Sequence, residues 1–168
     1  MTVRPDDSNQ IIFYSWEDMD RLHRKVAQQI VAQGAVPDII LGIMRCGQVS
    51  AIHLSYILGV RKVASILVRT TPSDAPLTSE RVEPEVTLHV PENYFLNQRV
   101  LLVDAVMESG TTAALCLREL EKYRPTEVKI AIIVDWYTSS YRIISGERPK
   151  IDFFGDRATL WPDFPWEH

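Results

Sequence analysis

The stretch Arg99-Val100-Leu101-Leu102-Val103-Asp104-Ala105-Val106-Met107-Glu108-Ser109-Gly110-Thr111-Thr112 decides the fold, because it passes from a buried strand to a helix through a turn of phosphate size. Val100 to Val103 are apolar without alternation, the pattern of a parallel strand covered on both faces. Asp104 ends that run. Glu108 to Thr112 then supply hydroxyls and one flexible glycine just before the helical pattern Ala113 to Tyr123. Unpaired amides at such a helix start, aided by the helix dipole, favour an anion.

Upstream, Ser15 precedes an amphipathic pattern with apolar residues at Met19, Leu22, Val26, Ile30 and Val31, and Ser15 with Asp18 forms a capping-box pattern. Gly34 closes that helix, Pro37 marks a loop, and Ile39 to Ile43 read as a buried strand. Ala51 to Leu58 read as the next helix, Gly59 as its end, and Val63 to Val68 as another strand. Between residues 69 and 97 the composition turns to Pro, Ser, Thr and Glu, with strand alternation only from Val86 to Val90, which predicts a long hairpin or a mobile flap. Val128 to Val134 form a further apolar strand, and Ile151 to His168 an aromatic, proline-rich tail. There is no internal repeat. Alternating strands and helices predict a Rossmann-like α/β fold, a parallel sheet with helices on both faces. Ligands of such sheets bind outside the carboxyl ends of the strands. The turn after Ile43, the turn after Met107 and the segment after Val134 all lie at such ends, so three distant regions can converge on one pocket.

At 168 residues the chain suits one domain with a substantial core, over residues 1–168. A hydrophobic share of 46% with 24% charged residues argues against a disordered or fibrous chain. The net charge of -4 argues against a general nucleic-acid binder. No apolar run reaches spanning length and residues 2–10 lack a signal-peptide core, so no membrane partner and a cytoplasmic location are expected. Cys46 and Cys116 have neither metal-ligand spacing nor a disulfide framework, and reduced thiols are the simpler reading. The four histidines lack ligand spacing too, which leaves them packing or solvated roles.

The opening stretch resembles the phosphoribosyl diphosphate (PRPP) signature of type I phosphoribosyltransferases, a hydrophobic strand, two acids, two apolar residues, an acid and Thr-Gly-x-Thr. Asp104 fits the first acid, Ala105 replaces the second, Glu108 fills the place of the third, and Ser109-Gly110-Thr111-Thr112 match the phosphate loop. The turn Met44-Arg45-Cys46-Gly47-Gln48 is similar to the family's pyrophosphate loop, commonly Arg-Gly-Gly in xanthine-guanine members, with Cys46 in place of a glycine. Trp161 with Trp166-Glu167 five positions later, and the opening Tyr14-Ser15-Trp16, resemble bacterial xanthine-guanine and hypoxanthine members.

The resemblance implies a phosphoribosyltransferase that moves 5-phosphoribose from PRPP to a nucleobase, a purine first, and releases pyrophosphate with Mg²⁺ on the diphosphate. It implies a small hood built from the terminal segments and a homo-oligomer, relatives being often dimers or tetramers. Nucleoside monophosphates would share the site. Asp104 would bind the ribose hydroxyls or order metal-bound water. Glu108 would take the proton of the base. Arg45, Cys46 and Gly47, with Ser109, Gly110, Thr111 and Thr112, would hold the phosphates. Trp161 would stack on the base, and Trp136 and Asp135 would complete its pocket, although the family's 6-oxopurine enzymes carry a lysine where Asp135 stands. A carboxylate accepts from amino or ring N–H groups and repels a carbonyl oxygen. The acid missing at Ala105 and the reversed charge at Asp135 also suit a non-catalytic PRPP or nucleotide sensor, or an enzyme for a pyrimidine or specialised base.

Overall fold

The computed structural model describes residues 2–3, 11–69, 82–91, 93–137 and 148–168. In chain order the elements are β1 (Thr2–Val3), β2 (Ile11–Phe13), α1 (Trp16–Ala32), β3 (Ile39–Met44), α2 (Cys46–Leu58), β4 (Val63–Arg69), β5 (Glu85–Thr87), β6 (Arg99–Met107), α3 (Thr111–Glu121), β7 (Glu127–Trp136), β8 (Phe153–Ala158) and β9 (Trp161–Asp163), then a 3₁₀ turn at Pro165–Glu167. Six strands form one sheet in the order β5-β4-β3-β6-β7-β8, parallel except for β5. The expected α/β architecture is therefore observed.

Helix α1 starts where the sequence places it. Ser15 Oγ accepts from the Asp18 amide at 3.1 Å and Asp18 Oδ2 accepts from the Ser15 amide at 3.2 Å, which closes the capping box. A cap of this kind contributes about 1 kcal/mol. Burial of Met19, Leu22, Val26 and Ile30 contributes more, about 1.5–3 kcal/mol for each such side chain, so packing against the sheet holds the helix in place. Gly34, in the left-handed region at φ 61°, turns the chain away.

Two cores flank the sheet. Helices α1 and α2 cover one face, where Leu22, Ile30, Leu54, Leu101 and Phe153 meet, and α3 covers the other through Cys116 and Leu120 against Leu41, Leu102 and Ile132. Strand β6 lies at the centre and is buried from Val100 to Val103, which accounts for its unbroken apolar run.

Several boundaries differ from the sequence reading. Helix α2 begins at Cys46 rather than Ala51, because the expected loop at residues 46–48 is its first turn. Helix α3 begins at Thr111 rather than Ala113. The alternation at Val86 to Val90 yields only the short β5, antiparallel to β4, so hairpin arms are present, while residues 70–81 and 92 of the expected flap lie outside the described residues. The tail contains a true sheet strand, β8, hidden in sequence by Gly155, Asp156 and Arg157. An added Cβ at Gly155 would stand 2.6 Å from the Ile133 carbonyl oxygen and 3.1 Å from Leu22 Cβ, so only glycine lets α1 and β7 close on this strand.

Both ends of the chain join in a second sheet of order β1-β2-β9, with Ile11 beside Trp161 and Phe13 beside Asp163. Tyr14 links it to the main sheet by donating its hydroxyl to Asp156 Oδ2 at 3.2 Å. No helix among the described residues is long and apolar enough to cross a membrane.

A Cβ at Gly42 would stand 2.8 Å from Gln48 Cα and 2.8 Å from Ala51 Cβ, where α2 rests on β3. Gly42→Ala is expected to cost about 1–3 kcal/mol by overpacking, read as a lower urea midpoint at unchanged slope.

Candidate active site

Strand β6 brings Asp104 and Glu108 to the carboxyl end of the sheet, and β3 brings Arg45 to the same end through the parallel register Gly42 beside Val103. A cis peptide joins Met44 to Arg45, and exposed Arg45 caps α2. Gly47 explains how close the two segments come. Its ideal Cβ would lie 2.6 Å from the Val103 carbonyl oxygen and 2.9 Å from Asp104 Oδ1, so the first turn of α2 rests directly on the end of β6. Any side chain there would push the turn off the strand.

Asp104 Oδ1 accepts from the Ala105 amide at 2.8 Å, a bond that favours the carboxylate. Burial outweighs it and pushes the carboxyl from the usual 3.8 up to about 7. An acid so placed responds strongly to any cation brought beside it. Among the described residues no group of three or more His, Cys, Asp or Glu could hold a metal by itself. Magnesium commonly takes one or two carboxylates together with substrate phosphates, and Asp104 fits that donor set.

The loop after β6 turns sharply into α3. Gly110 is left-handed at φ 75°, and the chain enters α3 immediately after it. Ser109 Oγ accepts from the Thr111 amide at 3.1 Å and donates to Thr111 Oγ1 at 2.9 Å, which fixes the two hydroxyls against each other. Ser109, Gly110, Thr111 and Thr112 thus lie together at a helix start, where amides and dipole favour phosphate. Arg148 Nε donates to the Glu108 carbonyl oxygen at 3.0 Å at the entry to this loop.

Cys46 is a packing residue at this end of the sheet. Its thiol donates to Glu167 Oε1 at 3.6 Å, and burial pushes it up to about 11, so it stays protonated at neutral pH. The contact ties the 3₁₀ turn of the tail to the first turn of α2.

Trp136 and Trp161 meet edge to face, with ring centroids 4.8 Å apart at 83°. Trp136 is buried and its indole Nε1 donates to the Thr159 carbonyl oxygen at 3.3 Å, while Trp161 is half-buried on β9 of the hood sheet. Of the two, Trp161 is the less buried, with the edge contact to Trp136 beneath it.

Asp135 differs from expectation. Its side chain is only 3% exposed, Arg148 pairs with Oδ1 and Arg157 Nε donates to Oδ2 at 3.1 Å. Both oxygens are engaged, so the open acceptor for a base edge is corrected to a buried anchor for two arginines. The sequence reading missed Arg148 and Arg157. The signal available was a carboxylate ending a buried strand, which requires a cation that sequence spacing does not identify.

Among the histidines, His23 is buried, with its Nδ1 3.2 Å from that of His53, and burial lowers it to about 4. This pair lies between α1 and α2, apart from the loops described.

A phosphoribosyl transferase domain model matches residues 12–167. Among solved structures, purine phosphoribosyltransferase from Pyrococcus horikoshii is 27% identical, with 95% of each chain covered and a TM-score of 0.75. A hypothetical protein from Neisseria gonorrhoeae with bound ppGpp is 26% identical, covering 95% of this chain and 90% of that one, with a TM-score of 0.75. Helicobacter pylori xanthine-guanine-hypoxanthine phosphoribosyltransferase, at 22% identity, 94% coverage of each chain and a TM-score of 0.71, shares the fold. Among curated proteins no sequence matches the chain.

The raised acid at Asp104 gives a pH test with a definite sign. The folded protein holds this proton up to about 7 and the unfolded chain releases it near 3.8, so stability from the protonated acid is present below 3.8 and is lost as pH rises to about 7. Ligand-free Asp104→Asn should therefore gain stability over the parent between these values, measured as the difference in urea midpoints at pH 4 and pH 8.

Proposed function

Because the chain belongs to the phosphoribosyl transferase domain family, we propose that it transfers 5-phosphoribose from PRPP to a purine base. The likeness to the Pyrococcus horikoshii purine phosphoribosyltransferase supports the purine most, while the close packing of Gly47 on Asp104, which brings the α2 turn and the end of β6 together, supports the use of PRPP. PRPP presents a 5-phosphate and a diphosphate, and two loops at a fixed separation suit those two anions. Ser109 to Thr112 receive the 5-phosphate and Arg45, with the amides of Cys46 and Gly47, the diphosphate.

The reaction exchanges one bond at ribose C1. A ring nitrogen of the base bonds to C1, the C1–O bond to pyrophosphate breaks, and that oxygen keeps the electron pair. The base loses its N–H proton, which Glu108 accepts. Asp104 holds the ribose hydroxyls or a metal-ordered water, and its negative form stabilises positive charge developing on the sugar. Bound magnesium would neutralise the diphosphate and make it a better leaving group. Trp161 covers the flat face of the base, a contact of about 1–3 kcal/mol. The contact of Cys46 with Glu167 holds the tail beside the diphosphate turn. The same chemistry fits purine salvage in the cytoplasm by a homo-oligomer.

The bound ppGpp of the Neisseria protein favours a second reading, a nucleotide sensor in which a polyphosphorylated nucleotide occupies the two anion loops without turnover. A panel of nucleobases with PRPP and magnesium, followed by pyrophosphate release, decides between them. Release with at least one purine is expected, whereas tight nucleotide binding with no release on any base would establish the sensor. Glu108→Gln should leave nucleotide affinity unchanged and slow turnover by on the order of 10², the usual scale for a lost general base. Turnover equal to the parent would exclude Glu108 as the proton acceptor.

A further inference from the structure

We propose that Arg148 is a positioning residue for the loop after β6, and that Asp135 acts on the site through Arg148 rather than by touching the base. The kinetic consequence rests on the transferase reading; the geometric one does not.

The ladder between β6 and β7 ends at Met107 beside Asp135. At that point one guanidinium donates to two successive carbonyl oxygens. Arg148 Nη2 donates to the Met107 oxygen at 3.0 Å and Nε donates to the Glu108 oxygen at 3.0 Å. Nη2 also pairs with Asp135 Oδ1. Asp135 is itself held from the other side by Arg157, whose guanidinium lies over the Phe154 ring at 4.8 Å. The plane of Arg148 is therefore fixed by a buried carboxylate at one edge and two backbone carbonyls along the other.

The same residue backs the turn. A Cβ at Gly110 would stand 3.0 Å from Arg148 Cγ and 2.7 Å from Pro149 Cδ. Glu108 and Gly110 are thus gripped from the carbonyl side and from behind, with Ser109 between them. Arg148 reaches these acceptors from two nitrogens held in one plane; a lysine ammonium can pair with Asp135 but carries all its donors on one nitrogen and cannot reproduce that spacing. A buried ion pair that merely joined strand ends would leave the loop indifferent to the exchange.

The test uses the full chain with Arg148→Lys, which keeps the charge beside Asp135, and Arg157→Lys as control. Amide hydrogen exchange is read without ligand at Thr111 and Ala114, whose amides donate to Ser109 Oγ and to the Gly110 carbonyl oxygen, with α1 as internal reference. Arg148→Lys should speed exchange in the loop by about tenfold while α1 is unchanged, and Arg157→Lys should do neither. On the best base, kcat should fall by about ten- to a hundredfold while KM for the base moves by less than about threefold, as expected when a reacting group is misplaced. Should Arg148→Lys not fold, Asp135→Glu shifts the anchor by one methylene and gives the same readout. Unchanged loop exchange in the folded variant, or acceleration spread equally through α1, would overturn the proposal. Faster loop exchange in a protein that releases no pyrophosphate would uphold the clamp and overturn the transferase reading.

Discussion

The left-handed backbone at Gly110 is the constraint on which the site depends. A phosphate can be received at the start of α3 only if the chain leaves β6 and turns sharply enough to present its amides, and a residue with a Cβ resists that conformation. Everything nearby conforms to this turn. Ser109 caps the Thr111 amide, Arg148 and Pro149 fill the space a side chain would need, and β6 is anchored on both sides by parallel neighbours. A second close approach, Gly47 on the end of β6, rests the first turn of α2 directly on Val103 and Asp104. Two glycines thus let both turns pack closely at the same end of the sheet.

What was legible in the sequence follows from how local each signal is. The β6 strand, its turn and the α1 capping box are set by residues within a few positions of one another, so pattern alone located them. The start of α2 was hidden because Gly47 is a poor helix residue by propensity, and tertiary contact with Val103 and Asp104 overrides that preference. Strand β8 was hidden for a related reason. Its glycine is required by Ile133 and Leu22, and its charged residues reach partners on other elements.

Asp135 shows the limit most clearly. Its position at the end of a buried strand was legible. Its partners were not, since Arg148 lies 13 residues later and Arg157 lies 22 residues later. A carboxylate read in isolation looks like an acceptor for ligand; paired twice, it becomes part of the scaffold. The aromatic tail was legible as a group of packing aromatics, and Trp161 meets Trp136 edge to face at its start.

The central claim is that the turn at Gly110 binds phosphate. Calorimetric titration of a purine nucleoside monophosphate into the wild-type protein and into Gly110→Val tests it most directly, with circular dichroism to confirm that the variant is folded. The account predicts saturable binding to the wild type and a loss of at least about tenfold in the variant, the scale of one or more lost charge-assisted hydrogen bonds. Equal affinity in a folded Gly110→Val protein would contradict it.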